Sequence, residues 1–285
     1  MLLKLHLLAM ELVLGMRESP HLRFSGASLR CCSWGVSSSL TGAFHFDYQN
    51  MIIHKLIGGV LKRGGCYVEF FLEQAVDAIG WIRRCGVPLD ASTTVLDLGC
   101  GFGHFGGELA KLGCQVTLAD DNSFVLPEYS KIQFRRIDID RDNLKEIGEY
   151  DLVILSNVFE HLSKPDRLLS AMASLLSPRG KFYLSWTPWY SPWGGHEFSP
   201  LHYLGARFGY SVYTRILKKP SQHVPYQNLF PTYIGRTLRR IRNDSNLRIV
   251  RIAPRYYPEF SFLMHLPVAR EFLAWNCAML IERRS

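Results

Sequence analysis

The chain has 285 residues, 47% of them hydrophobic, with 33 Lys and Arg against 25 Asp and Glu for a formal charge of +8. That composition fits one large globular domain, or a domain with a substantial insertion, and excludes a wholly disordered, collagen-like or coiled-coil chain. No run of about 18 uncharged apolar residues occurs, so no transmembrane helix is predicted.

The charge is uneven: +4 over residues 1–64, −6 over 65–203 and +10 over 204–285. An acidic centre between basic ends suits a cationic ligand in the middle and an anionic partner toward the C-terminal part. The seven cysteines are odd in number and form no C-x-x-C pair. This predicts reduced thiols in a cytoplasmic protein and no structural metal site.

Residues 1–16 are Leu-rich, but Glu11 breaks the apolar run and no A-x-A site follows. The pattern reads as an amphipathic segment or a misplaced start rather than a signal peptide. Residues 19–42 have no periodicity and read as a loop, so residues 1–43 are expected to be an extension and 44–285 the domain. Ordered structure is expected to begin between Phe44 and Cys66. Helical spacing then covers Glu69–Arg84, and β-branched or apolar runs mark strands at Thr94–Leu98, Gln115–Ala119, Ile132–Ile137, Tyr150–Leu155 and Lys181–Trp186. Helices are predicted at Gly103–Leu112 and at Pro165–Leu176, which has Pro in its first turn. After Trp186 the rhythm breaks into a segment rich in Pro, Gly and aromatics, 187–230, too long for a plain connector and therefore expected to be a substrate loop. A helix at Pro231–Arg242 and strands at Leu247–Ala253 and Ala274–Glu282 complete the reading. The alternation predicts a Rossmann-like, doubly wound α/β fold: a mostly parallel seven-stranded sheet with an insertion after the fifth strand.

Chemistry concentrates in VLDLGCGFGHFG, Val95–Gly106, a strand that runs through a Gly-rich turn into a helix start. Glycine permits close backbone approach and positive φ, and the helix start offers free N–H groups to an anion. Gly101-x-Gly103-x-x-Gly106 also matches the dinucleotide fingerprint, so a nicotinamide cofactor is an alternative. Three carboxylates separate the readings. Asp97 stands two residues before the first glycine. Asp120 ends the second strand, where it can accept from two ribose hydroxyls. Asp138 ends the third strand, within reach of an adenine amino group, with Asp140 close enough to replace it.

With these motifs and Tyr150–Leu162 (YDLVILSNVFEHL), the chain resembles the class I S-adenosylmethionine-dependent methyltransferases, in particular the small-molecule branch related to ubiquinone biosynthesis. The resemblance implies S-adenosyl-L-methionine as cofactor. Gly99, Cys100, Gly101 and Gly103 would line its methionine part, Asp97 the loop or amino group, Asp120 the ribose, Asp138 and Ile139 the adenine, and Asn157 would lie beneath the ligand. The leading reading is a small-molecule or glycan or lipid-precursor acceptor, which the charge pattern allows to be anionic, with peripheral membrane contact. Thr187–Gly205 (TPWYSPWGGHEFSPLHYLG) follows the fifth strand and should lie over the carboxyl edge of the sheet, where open α/β folds bind ligands. His196 and Glu197 are its candidate catalytic groups, His196 as general base. His196 and His202 lack the H-E-x-x-H spacing of a zinc protease. A nucleic-acid substrate is disfavoured: Ser156-Asn157-Val158-Phe159 lacks the Asn/Asp-Pro-Pro-aromatic signature, and no Pro-Cys dipeptide supplies a cytosine nucleophile. A catalytically silent binding protein on the same fold is the reading from another class.

Overall fold

A computed structural model describes residues 67–284. The expected extension 1–43 and the expected start of order between Phe44 and Cys66 lie outside the described residues.

Seven strands form one sheet: β1 Thr94–Leu98, β2 Gln115–Asp120, β3 Gln133–Arg136, β4 Tyr150–Ser156, β5 Leu176–Trp186, β6 Leu247–Pro254 and β7 Cys277–Arg283. Their order is β3-β2-β1-β4-β5-β7-β6, parallel from β3 to β5, with β7 antiparallel to both β5 and β6. The crossover between β1 and β4 leaves a crevice at the carboxyl edge, the binding edge of this topology.

The sheet is buried on both faces, and side-chain alternation builds two cores. Val95, Leu152, Ile154, Tyr183, Ala278 and Leu280 face one way, against α1 (Tyr67–Arg84) through Ala78, Ile79 and Ile82, and against α2 (His104–Lys111) through Leu109. Leu96, Leu98, Val153, Leu155, Phe182, Leu184, Met279 and Ile281 face the other, against α3 (Pro165–Ala171) and α5 (Ile234–Arg242). Each fully buried Leu or Ile contributes roughly 1.5–3 kcal/mol. Period-2 alternation within near-continuous apolar runs is how a two-sided parallel sheet is written in sequence.

Element ends shift from expectation for local reasons. The predicted helix to Leu176 stops at Ala171, tightens to a 3₁₀ turn over Met172–Leu175, and hands Leu176 to β5, which begins there rather than at Lys181. The predicted helix from Pro231 begins at Ile234 because Tyr233 is extended, and its free Ile234 and Gly235 N–H groups donate to the Glu271 carboxylate at 2.9 and 2.7 Å. The insertion is folded rather than irregular. It contains α4 (Ala206–Ser211) and short 3₁₀ and π turns, and it packs around Trp189, Phe198, Ala206 and Leu229 with Tyr190, Tyr210, Tyr213 and Tyr233 against them.

Gly106 marks the tightest helix–sheet approach, since a Cβ there would lie 2.2 Å from Leu118 Cδ2 and 3.0 Å from Val116 Cγ1. Gly106→Ala should therefore destabilise the fold by about 1–3 kcal/mol, the usual cost of overpacking, read from the urea midpoint.

Candidate active site

The Gly-rich turn leaves β1 and folds back over the end of β2. Gly99 N and Cys100 N donate to Ala119 O at 2.7 and 3.0 Å, and Gly103 N to Cys100 O at 2.8 Å. Gly99, Gly101 and Gly103 have φ of 75°, 51° and 86°. At Gly99 a Cβ would also strike Val158 at 2.5 Å, whereas at Gly101 nothing lies within 4 Å, so that side of the loop is open to a ligand.

Two carboxylates hold this turn. Asp97, 3% exposed, accepts from Gly106 N at 2.9 Å and so ties β1 to the first turn of α2. Its burial pushes the carboxyl up to about 7 against the opposing Gly106 hydrogen bond, with the Asp120 charge raising it further. Asp120 accepts from Gly101 N at 2.8 Å through one oxygen and from Asp121 N at 2.8 Å through the other. Each oxygen keeps a second lone pair, the acceptor set a vicinal diol requires. Burial raises the Asp120 carboxyl as well. Cys100 lies between them, its thiol also pushed up by burial.

At the end of β3 the structure separates the two neighbouring aspartates. Asp138 accepts from Asp140 N at 2.9 Å and faces Arg141 at 3.4 Å. The Asp140 carboxylate turns instead to Ser163 N and Lys164 N, at 2.8 and 3.0 Å. Ile139 is buried in the core beside Asp138.

Asn157 follows β4 at φ 56°. Its Nδ2 donates to Gln74 Oε1 at 2.9 Å and its Oδ1 accepts from Asn276 Nδ2 at 2.8 Å. Beneath this amide ladder lies Arg255, 4% exposed, which donates to Ser156 Oγ, Ser185 Oγ and Gln74 O at 3.1, 3.3 and 2.9 Å. Gln74 Nε2 completes the set by donating to Tyr256 OH at 3.0 Å. Sequence reasoning named Asn157 as a candidate and did not name Gln74 and Asn276, which bond to it, or Arg255 and Tyr256, which bond to Gln74. They come from α1 and from the ends of β6 and β7, and no local motif marks them.

The loop after β4 and the insertion meet through Glu160. Its buried carboxylate accepts from Thr187 N at 3.0 Å, and its carbonyl accepts from Phe230 N at 2.8 Å. Glu160 and His161 do not start a helix; they form a 3₁₀ turn, Phe159–His161. His161 then lies against His196 and His223, with ring centres 5.2 Å from each, and His196 and His223 are 4.2 Å apart. Glu197 pairs with His223 Nδ1 at 2.8 Å rather than with His196. That hydrogen bond and the electrostatic attraction of His223 hold its carboxyl down at about 2 despite burial. His196 sits at φ 49° with its Nε2 closed off and unpartnered, and burial above all, then His223 and His161, pushes it down to about 3, so its ring is neutral. His202 is apart from this group: it is fully buried with Nε2 3.1 Å from Ser191 O, and burial lowers it to about 4.

Residues 71–252 match the family model described as a methyltransferase domain. An uncharacterized methyltransferase of Mycobacteroides abscessus is 30% identical over 213 residues, covering 72% of this chain and 81% of the relative. The chain belongs to the class I S-adenosylmethionine-dependent methyltransferases. A further relative from Mycolicibacterium vanbaalenii is 34% identical over 133 residues, 46% of this chain and 51% of its own. Among solved structures, an S-adenosylmethionine-dependent methyltransferase from Mesorhizobium loti shares the fold at a TM-score of 0.50 and 21% identity, covering 72% of this chain and 96% of that one.

The methyltransferase has residues suited to its cofactor, S-adenosylmethionine: an open glycine turn with no Cβ to obstruct approach, and a diol acceptor in Asp120 one strand away. Asp97 gives a pH signature. Its carboxyl is raised in the fold, so from about pH 4 to about pH 7 the folded chain holds a proton that the unfolded chain releases, and stability falls as pH rises through that window. Asp97→Asn keeps an acceptor for Gly106 N and should flatten this decline relative to wild type in chemical denaturation across pH 4–7.

Proposed function

We propose that this methyltransferase modifies a small molecule or a glycan or lipid precursor that enters over the carboxyl edge of the sheet. The observation that carries the reading is the imidazole–carboxylate group His161, His196, His223 and Glu197. Its members come from the turn after β4 and from a folded insertion with its own aromatic core. Such an enclosure suits a compact acceptor better than a long nucleic-acid strand. The turn after β4, Ser156-Asn157-Val158-Phe159, also lacks the signature of base amino methylation.

S-Adenosylmethionine supplies an electrophilic methyl group on a sulfonium centre. On the protein side, the Gly99–Gly103 turn takes its methionine part, Asp120 the ribose hydroxyls, and Asp138 with the Ile139 backbone the adenine. Asn157, locked by Gln74 and Asn276, forms the floor. A hydroxyl or amine acceptor must lose a proton as it is methylated, and the imidazole group is the available acceptor side. His196 presents a neutral ring. Glu197 acts through His223, whose Nδ1–H it orients.

A lipid-linked acceptor draws support from the edge of the insertion, where Phe208 and Ile216 are 63% and 71% exposed among the basic Arg207, Arg215 and Lys218. Apolar groups ringed by cations suit an anionic lipid surface. No helix among the described residues is long and apolar enough to cross a membrane. Cys85, Cys100, Cys114 and Cys277 are free thiols, in keeping with a cytoplasmic setting.

The deciding experiment is incubation with methyl-labelled S-adenosylmethionine and fractionated cell extract. Label in small-molecule or lipid-linked glycan fractions is expected, and label confined to nucleic acid overturns the reading. Asp120→Ala should weaken cofactor binding by about 1.5–3 kcal/mol, the scale of charged hydrogen bonds, measured by calorimetry. His196→Ala should cut turnover about 10²–10⁴-fold while cofactor affinity stays within twofold (~0.4 kcal/mol).

A further inference from the structure

We propose that His161, His196 and His223 form a three-histidine site for a divalent first-row transition ion, zinc above others, with one coordination position left for the acceptor or water. One candidate ligand atom from each residue lies within 4.8 Å of the other two.

The hydrogen bonds fix which nitrogens are free. His161 Nδ1 lies 2.7 Å from Asn228 O, which can only accept, so Nδ1 carries the proton and Nε2 the lone pair. His223 Nδ1 lies 2.8 Å from the Glu197 carboxylate, which sets the same tautomer and again leaves Nε2 bare. His196 Nε2 is shut from solvent without a hydrogen-bond partner. His161 and His223 thus present bare nitrogens beside a His196 nitrogen that is buried and unanswered. A buried polar atom left unsatisfied is costly, and a shared cation would answer all three.

Ring spacing agrees with coordination. Imidazoles bound to one tetrahedral zinc at about 2.0–2.1 Å have ring centres roughly 5 Å apart, and two of the three spacings here are 5.2 Å, the third 4.2 Å. The outer contacts match as well, since ligating histidines commonly donate their other N–H to a carboxylate or a carbonyl. Glu197 and Asn228 O are those two partners. With imidazole nitrogen and no carboxylate oxygen as ligands, the set selects against magnesium and calcium, and three histidines with an open position is a catalytic rather than a structural arrangement.

Sequence spacing could not reveal the site. The ligands lie 35 and 27 residues apart, on the turn after β4, on the insertion's first 3₁₀ turn, and in the strap that returns toward α5. The expectation of no metal rested on local motifs alone. The site rests on these ligand contacts alone and not on the acceptor-side reading above.

The test is made on the full chain without cofactor or acceptor. Chelator-treated protein is titrated with zinc, and in parallel with cobalt(II), whose visible absorption reports tetrahedral coordination. One saturable equivalent is expected, with an intense tetrahedral cobalt spectrum. His161→Ala and His223→Ala should each weaken binding at least 100-fold. Glu197→Gln, which leaves all three ligands in place, should weaken it about 10–100-fold and keeps the test available where an alanine variant does not fold. No saturable equivalent, or binding of unchanged strength in the His161→Ala, His196→Ala, His223→Ala triple variant, overturns the site. Neither result bears on methyl transfer, which the labelled-extract experiment reads separately.

Discussion

A single guanidinium organises the working edge of this protein. Arg255 lies buried at the crossing of four elements, and its donors reach the hydroxyls of Ser156 on β4 and Ser185 on β5 and the carbonyl of Gln74 on α1. Burying a cation is costly unless hydrogen bonds answer it, and here two hydroxyls and a carbonyl answer the terminal guanidinium nitrogens while Nε is left without a partner. The arrangement therefore fixes where β4 and β5 end and where α1 sits across them. Asn157 depends on it directly, because the Gln74 side chain that holds its amide sits on the residue whose carbonyl Arg255 binds.

From that floor the two halves of the site grow in different ways. The cofactor half is local and repetitive: successive strands end in Asp97, Asp120 and Asp138, and two of these carboxylates spend lone pairs on the backbone of the glycine turn. The turn is thus preorganised before any ligand arrives, so little ordering is left to offset on binding. The histidine group is assembled from distant segments. Glu160 fastens the insertion at both ends by accepting from Thr187 N and, through its carbonyl, from Phe230 N. The insertion then folds on its own aromatic cluster and delivers His196, Glu197 and His223 to His161.

The sequence by itself determined the sheet, the order of its elements and the glycine turn with its carboxylates. Those features are written in short-range patterns: apolar runs of strand length, a glycine turn between strand and helix, and a carboxylate at or near the end of each of the first three strands. Even the antiparallel last pair was visible as two strands, though not its direction. Element boundaries at Leu176 and Ile234 were not legible, because a register break and a cap from the distant Glu271 set them.

Only the tertiary structure decided the partners. Glu197 stands next to His196 in sequence, yet adjacent side chains point apart, and its carboxylate goes to His223, 26 residues on. Asp138 and Asp140 are equivalent in sequence, and only the packing of the loop at Ser163 and Lys164 draws one of them away. Arg255, Gln74, Asn276 and His161 acquire their roles from contacts across 67 to 181 positions of chain. A polar side chain's free energy depends on what desolvates it and which group answers it, and for these residues both are supplied by segments that meet only when the fold closes.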